Sequence, residues 1–386
     1  MASHSARPQP LAAVLPPLLL GTATFNTQYV DDPAAMPYRR IVRRALDLGV
    51  TGFDTSPYYG PSEELLGEAL EASGADRASY FLETKAGRVH SNGFDYSAAA
   101  VTASVRRSLQ RLRTSYLDLV FCHDAEFVSA GEVVEAVQAL RALRKEGVLK
   151  YVGISGFPVD VLVTLAEAIL AKTGEPVDAV LSYGHCTVQN TLLLKAAPRF
   201  AAAGVSVVLN ASLLNMGLLT TRGVDNGPQA KWHPSPAPLR EVSAAAAGIC
   251  TERASAGKLF GMKGIEQVAL RYALDVWARR AAEQKLGTVA AEGKVSVGPS
   301  VLGVTTEQEL DETVVEWWSV LDALGVPHPS PSLLHGKATA TTPEESLQRT
   351  QQVRVLVEDT LWPVFGEWKD FAWASPDEGW VNQLKQ

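Results

Sequence analysis

Four residues carry most of the chemistry this sequence offers. Asp54 closes the run GFDTS, Tyr59 follows five positions later in DTSPYYG, Lys85 closes YFLETKA, and His123 closes DLVFCHD. Each alone has an ordinary explanation: an aspartate capping a turn, a packed tyrosine, a solvated lysine, a satisfied core histidine. Together they need more, because a lysine and a histidine ending otherwise apolar strands carry a desolvation cost unless paired or functional. A phenol titrates at roughly 10, too high to shuttle protons at neutral pH, and an adjacent cation lowers that value. The set predicts a proton-transfer site. Tyr59 exchanges the proton, Lys85 supplies the cation, Asp54 holds the ammonium, and His123 hydrogen-bonds the reacting oxygen.

Positioning those side chains requires strand ends that lie side by side. Apolar, β-rich runs occur at 18–23, 52–56, 80–86, 118–124, 151–156, 179–184, 206–212 and 300–304. Their distinctive end residues are Thr22, Asp54, Lys85, His123, Ser155, Tyr183, Ala211 and Gly303, separated by 32, 31, 38, 32, 28, 28 and 92 positions. Helix-period segments fill the gaps: 34–48, 62–73, 97–112, 131–146, 157–172, 190–203, 264–283 and 306–324. Eight units of strand and helix predict an α/β chain folded as a (β/α)8 TIM barrel, with its active site at the carboxyl ends of the strands. A doubly wound sheet would place G-x-G-x-x-G after the first strand, and none follows it. Ser97 and Thr306 read as helix N-caps, with Glu309 as capping-box partner of Thr306.

The long seventh interval holds a loop, 215–238, that contains KWHPSPAP, then an extra helix near 239–257; this insertion after strand 7 is expected over the barrel mouth. Beyond a Pro/Ser/Thr-rich stretch at 326–342, Thr342 and Glu345 form a capping box that opens a C-terminal helical extension. The aromatic tail FGEWKDFAWASPDEGW is expected to pack back on the barrel. The whole chain, 1–386, reads as one domain with its core at about 18–325 and the extension at about 326–386.

Composition narrows the partners. The 386 residues are 46% apolar and 20% charged, with 30 Gly and 22 Pro, the profile of a chain that buries a core. A formal charge of −7 without a basic run speaks against nucleic acid and anionic lipid. No segment approaches the roughly 20 apolar residues of a membrane span; Pro16 and Pro17 interrupt the apolar stretch from Leu11, and Leu18 to Leu20 read as a buried strand. Cys122, Cys186 and Cys250 are odd in number and form no C-x-x-C pair, which points to a reducing, cytoplasmic setting. His90, His328 and His335 have no ligands at metal spacing, so no metal is expected. A small-molecule substrate and no obligate protein partner complete the expectation.

Strand-end Asp, Tyr five residues on, then Lys and His at the next two strand ends resemble the tetrad of the aldo-keto reductase superfamily. GVTGFDTSPYYGPSEELLGEAL, TKAGR, YLDLVFCHD, GVLKYVGISG and MGLLT are similar to that superfamily's blocks in order. FDYS, HDAEFV, LSYGHCTVQN and WHP are similar to its sugar-oxidising branch, the dehydrogenases of D-arabinose and L-galactose. The resemblance implies a nicotinamide-dependent oxidoreductase that converts an aldose C1 hydroxyl to the lactone, with Tyr59 as general acid/base. It implies Ser155 and Gln189 as ligands of the nicotinamide carboxamide, although Gly156 stands where relatives often carry Asn. Gly21, Thr22, Asn210, Ser212, Leu214, Gly303, Thr305, Glu309 and Glu312 complete the implied cofactor bed. Ala211 replaces a tyrosine that stacks on the nicotinamide in many relatives. Gly303 and Glu309 fall where NADP-selective relatives carry bases, so NAD is expected as the preferred cofactor and NADP as the lesser one. Tyr58, Tyr183, His185, Trp232 and His233 are the substrate-pocket candidates, each with an equal claim to being an ordinary loop residue. Three other readings stay open: a broader aldehyde or ketone reductase, a Schiff-base lyase using Lys85, and a non-catalytic cofactor-binding subunit.

Overall fold

The computed structural model describes residues 9–290, 295–329 and 342–385; His335 lies outside them. Eight parallel strands close into a barrel: β1 Leu18–Gly21, β2 Gly52–Asp54, β3 Phe81–Ala86, β4 Leu117–Cys122, β5 Leu149–Gly156, β6 Ala179–Tyr183, β7 Val207–Ala211 and β8 Ser300–Gly303. Each strand pairs with its neighbours in sequence, and β1 closes the ring on β8 with Gly21 opposite Gly303. The strands read as continuous apolar runs because both faces are covered. Leu19, Phe81, Phe121, Tyr151, Leu181, Leu209 and Val301 fill the lumen. Alternate residues such as Leu20, Phe53, Val120, Val180 and Val208 pack outward against helices. The same alternation turns Asp54, Lys85, Ser155 and Ala211 inward at the carboxyl ends.

The outer ring is α1 Tyr38–Asp47, α2 Ser62–Ser73, α3 Ala98–Arg111, α4 Ala130–Lys145, α5 Val159–Thr173 and α6 Leu192–Ala202. After β7 come α7 Ala237–Ser255 and α8 Ile265–Glu283, and after β8 comes α9 Glu307–Leu324. Helix α1 starts four residues later than its apolar period suggests, since Pro37 disfavours helical backbone at the residue before it. The insertion does reach the mouth: Trp232 Nε1 donates to Gln28 O at 2.8 Å, and its ring meets Tyr29 at 5.3 Å. The C-terminal helix α10, Pro343–Leu356, has the expected Thr342/Glu345 capping box. Val353, Leu361 and Phe365 share a second apolar core with Ala246 and Cys250 of α7 and Ile265 of α8.

Two short hairpins lie outside the eightfold reading. Thr288–Ala290 pairs antiparallel with Val295–Val297 at the amino end of the barrel, where Thr288 Oγ1 donates to Ala12 O at 3.0 Å. Arg88–His90 pairs with Gly93–Phe94 in the loop after β3. The second carries a turn signal, SNG, and both lie in runs too short to register as strands.

Candidate active site

Lys85 and Asp54 form the floor of the site. Lys85 Nζ donates to Asp54 Oδ1 at 2.6 Å and to Thr55 O at 3.0 Å, and both side chains are buried. Burial alone would lower the ammonium pKa, but Asp54 and Tyr59 outweigh it and hold Lys85 charged. The loop after β2 brings Tyr59 over this pair, with Lys85 Nζ 4.9 Å from the phenol ring centroid. Burial pushes the phenol up to about 12, against the downward pull of Lys85, while Asp54 and Asp124 add to the rise. The expected effect of Lys85 is thus present, and burial exceeds it.

His123 stands at right angles to Tyr59, ring centroids 5.6 Å apart. Burial pushes its pKa down to about 3, so the ring is neutral at physiological pH. Its Nδ1 lies 2.9 Å from Ser56 Oγ, which also accepts from Tyr58 N. With the serine hydroxyl donating to Nδ1, the proton sits on Nε2 and gives the site a hydrogen-bond donor. The sequence signal for Ser56 was its place two residues after Asp54.

The wall beside the tetrad is charged. Arg88 stacks on Tyr58, its Cζ 3.7 Å from the ring centroid, donates to the Tyr58 hydroxyl at 3.0 Å and ion-pairs with Asp124. Asp124 holds a left-handed backbone, φ 52°, and its Oδ1 accepts from the Tyr183 hydroxyl at 3.5 Å. Gly87 turns the chain toward Arg88 at φ 101°, and a Cβ there would lie 2.3 Å from the Tyr96 ring. Neither Arg88 nor Asp124 was among the expected substrate residues, although TKAGR and HDAEF carry them three residues and one residue after tetrad members. Glu126 fills the space behind Ser155: a Cβ at Gly156 would meet Glu126 Oε2 at 2.2 Å. That contact accounts for glycine at 156.

Several expected ligands are spent within the protein. Gln189 donates to Trp368 O and Phe371 O at 2.7 and 3.0 Å, and its Oε1 accepts from Asn215 Nδ2 at 3.2 Å, so it anchors the C-terminal segment. Asn210 alternates outward between lumen residues Leu209 and Ala211, and donates to Cys186 O at 3.1 Å. Thr22 ties Asp54 O to Ser62. His233 uses both ring nitrogens, on Ser235 Oγ at 2.8 Å and Asn215 O at 3.0 Å, which makes it a satisfied core histidine. His185 is buried against Phe157, with Nδ1 on Tyr183 O and Nε2 without a partner.

The remaining groups fit a nicotinamide dinucleotide. Ser155 faces the lumen with a long hydrogen bond, 3.3 Å, to Cys122 O. The buried Oδ1 of Asn215 lacks a partner near the β6 end, and Ser212 and Leu214 lead into that turn. Gly21 and Gly303 leave the β1–β8 rim without side chains, next to the α9 amino terminus, a natural anion position. There Thr306 caps Glu309 N, but the Glu309 carboxylate turns to Thr305, accepting from its N at 2.7 Å and Oγ1 at 2.9 Å. The capping box is therefore shifted by one residue.

The aldo/keto reductase family model matches residues 17–323. The chain belongs to the aldo/keto reductase family. This family member is therefore an NAD(P)-dependent oxidoreductase. It is 38% identical to D-arabinose 1-dehydrogenase of Saccharomyces cerevisiae over 315 residues, 80% of this chain and 85% of that protein. It is 39% identical to L-galactose dehydrogenase of Arabidopsis thaliana over 255 residues, 65% of this chain and 73% of that protein. Among solved structures, a holo-form aldo-keto reductase from Bacillus halodurans superposes with a TM-score of 0.53 at 19% identity, covering 87% of this chain and 91% of that one. Among the described residues no helix is long and apolar enough to cross a membrane.

Proposed function

We propose that this oxidoreductase converts the anomeric hydroxyl of an aldose of the D-arabinose or L-galactose type to the lactone, with NAD⁺ as preferred acceptor and Tyr59 as general acid/base. The observation that carries the reading is the assembled Asp54–Tyr59–Lys85–His123 site in a chain 38–39% identical to two sugar dehydrogenases. An oxidised nicotinamide, when bound, would supply the hydride acceptor and a positive charge beside Tyr59. The protein's own groups handle the proton. Tyr59 accepts it from the anomeric oxygen, Lys85 favours the phenolate, and the His123 Nε2 hydrogen steadies the oxygen as it becomes a carbonyl. Ser155 would hold the nicotinamide carboxamide. Tyr58 and Tyr183, braced by Arg88 and Asp124, bind ring hydroxyls, while the Trp232 loop covers the mouth.

A lysine 2.6 Å from a carboxylate and held charged has no free lone pair, which argues against a Schiff-base lyase. A complete proton-transfer set argues against a non-catalytic subunit. Three buried, unpaired cysteines support a reducing, cytoplasmic setting. The deciding experiment is a panel of aldopentoses and aldohexoses with NAD⁺ and NADP⁺, set against aldehydes with the reduced cofactors. Faster turnover of aromatic aldehydes than of any aldose would overturn the sugar assignment in favour of a general aldehyde reductase.

A further inference from the structure

One lumen residue does not belong among its neighbours. Glu83 lies one inward step below Lys85 on β3, fully buried; its carboxyl oxygens meet no donor group and face the Asp54 carboxyl across the strand register. Its register partners are Asp54 on β2 and Leu119 on β4, the latter a member of the apolar lumen core with Phe121, Leu181 and Val301. The charged and titratable groups around it are Asp54, Lys85 and Asp118. Asp118 is already matched by Arg77 at 2.7 Å and Lys150 at 2.8 Å. That leaves two lumen carboxyls and one ammonium. Lys85 is committed to Asp54 at 2.6 Å, and a second carboxylate in a dry lumen would be uncompensated.

We propose that Glu83 is a positioning residue of the tetrad: a carboxyl that keeps its proton, donates it as a hydrogen bond to Asp54, and so fixes the aspartate that aims Lys85 at Tyr59. Burial, reinforced by the charge of Asp54, raises the Glu83 pKa well above the ordinary carboxyl range, in keeping with a neutral acid. The consequence is a charge balance. With Glu83 neutral, Asp54 and Lys85 cancel and the phenolate is favoured; with Glu83 ionised, the extra negative charge opposes it.

Two measurements test this. Infrared difference spectra of wild type against Glu83→Gln at neutral pH should show the carbonyl stretch of a protonated carboxyl, lost in the variant. Carboxylate bands in its place would overturn the proposal. In turnover, Glu83→Gln keeps a neutral donor and should stay within about threefold of wild type, while Glu83→Leu should lower kcat by about tenfold or more with KM little changed. Glu83→Leu should keep its melting temperature, since an apolar side chain suits that layer. Wild-type kcat in a folded Glu83→Leu variant would show that the carboxyl only fills space. If Glu83→Leu does not fold, the infrared result and Glu83→Gln turnover decide alone. The kinetic arm rests on Tyr59 as acid/base, whereas the infrared arm does not, so failure of that reading and failure of this proposal are separable.

Discussion

A phenol serves as a base only where its surroundings make phenolate accessible, and Tyr59 sits between opposing influences. Burial, Asp54 and Asp124 push its pKa up to about 12, and only Lys85 pulls it down. These groups by themselves favour the acid form, so the proposed oxidation calls for further positive charge beside Tyr59. Tyr59→Phe removes the proton acceptor and should cut kcat by about 10²–10⁴-fold, with cofactor affinity, read by fluorescence titration, almost unchanged. Near-native turnover would sink the assignment. Lys85→Met should do comparable damage by removing the one favourable charge and stranding Asp54. His123 makes no such demand on charge. Burial holds it neutral, and in the proposed mechanism it serves as a donor oriented by Ser56.

At the scale of elements, the start of α9 sets the cofactor preference we expect. Glu307 and Glu309 lie in its first turn, and two nearby bases are already paired, Arg40 with Glu307 at 3.0 Å and Lys263 with Glu312 at 2.8 Å. A 2′-phosphate there meets carboxylates, whereas a ribose hydroxyl finds acceptors. NAD⁺ should exceed NADP⁺ by at least tenfold in kcat/KM, about 1.4 kcal/mol, and Glu309→Arg should shift the ratio toward NADP⁺. Equal efficiency would make Lys263 a phosphate clamp, and Lys263→Ala would then lower NADP⁺ turnover selectively. The barrel strands were readable in the sequence because each is a short apolar run, and the first seven recur at intervals a barrel unit requires. Asp54, Lys85 and His123 stood out because they interrupt or end apolar runs, and Tyr59 through its place in the loop five residues after Asp54. What escaped were contacts between loops. Nothing local distinguishes Gln189, which anchors Trp368 and Phe371 some 180 positions away, from a free amide. His233 likewise became a core residue only through Asn215 and Ser235. Arg88 and Asp124 are adjacent in space and 36 residues apart in sequence, so their pairing had no periodic signature.

The whole molecule is tied together by its C-terminal extension, which grips the barrel at both ends of its path. Helix α10 docks through a buried cluster in which Glu316 of α9 meets Arg349 at 2.7 Å and Arg271 at 3.7 Å. Glu316→Leu removes the carboxylate that answers Arg349 and the buried charge of Arg271, and should cost about 3–5 kcal/mol in chemical denaturation while kcat at low temperature holds. Unchanged stability would mean that the Arg271 hydrogen bonds to Ser346 O and Thr350 Oγ1, with the apolar contacts, suffice to dock the helix. At the far end, Trp373 stacks on Phe157 at 4.5 Å, and Ser375 Oγ donates to Glu126 Oε1 at 2.9 Å. Glu126 also accepts from Phe157 N at 3.1 Å, and burial, then the charge of Asp124, pushes its pKa up to about 8. An acid whose folded value is raised favours folding most below its unfolded value, roughly 4.5, and loses that advantage as pH rises through 8. Over that window the loss is at most about 1.4 kcal/mol per pH unit. Wild type should therefore lose melting temperature between pH 6 and pH 9 more steeply than Glu126→Gln, which keeps the shape and cannot ionise. Above pH 8 the ionised carboxylate repels Asp124 beside the substrate wall, so limited proteolysis of the 366–385 segment should quicken in wild type and not in the variant. Parallel melting curves across that range would show that Glu126 is already ionised in the folded chain, with its charge answered by the Phe157 amide and the Ser375 hydroxyl.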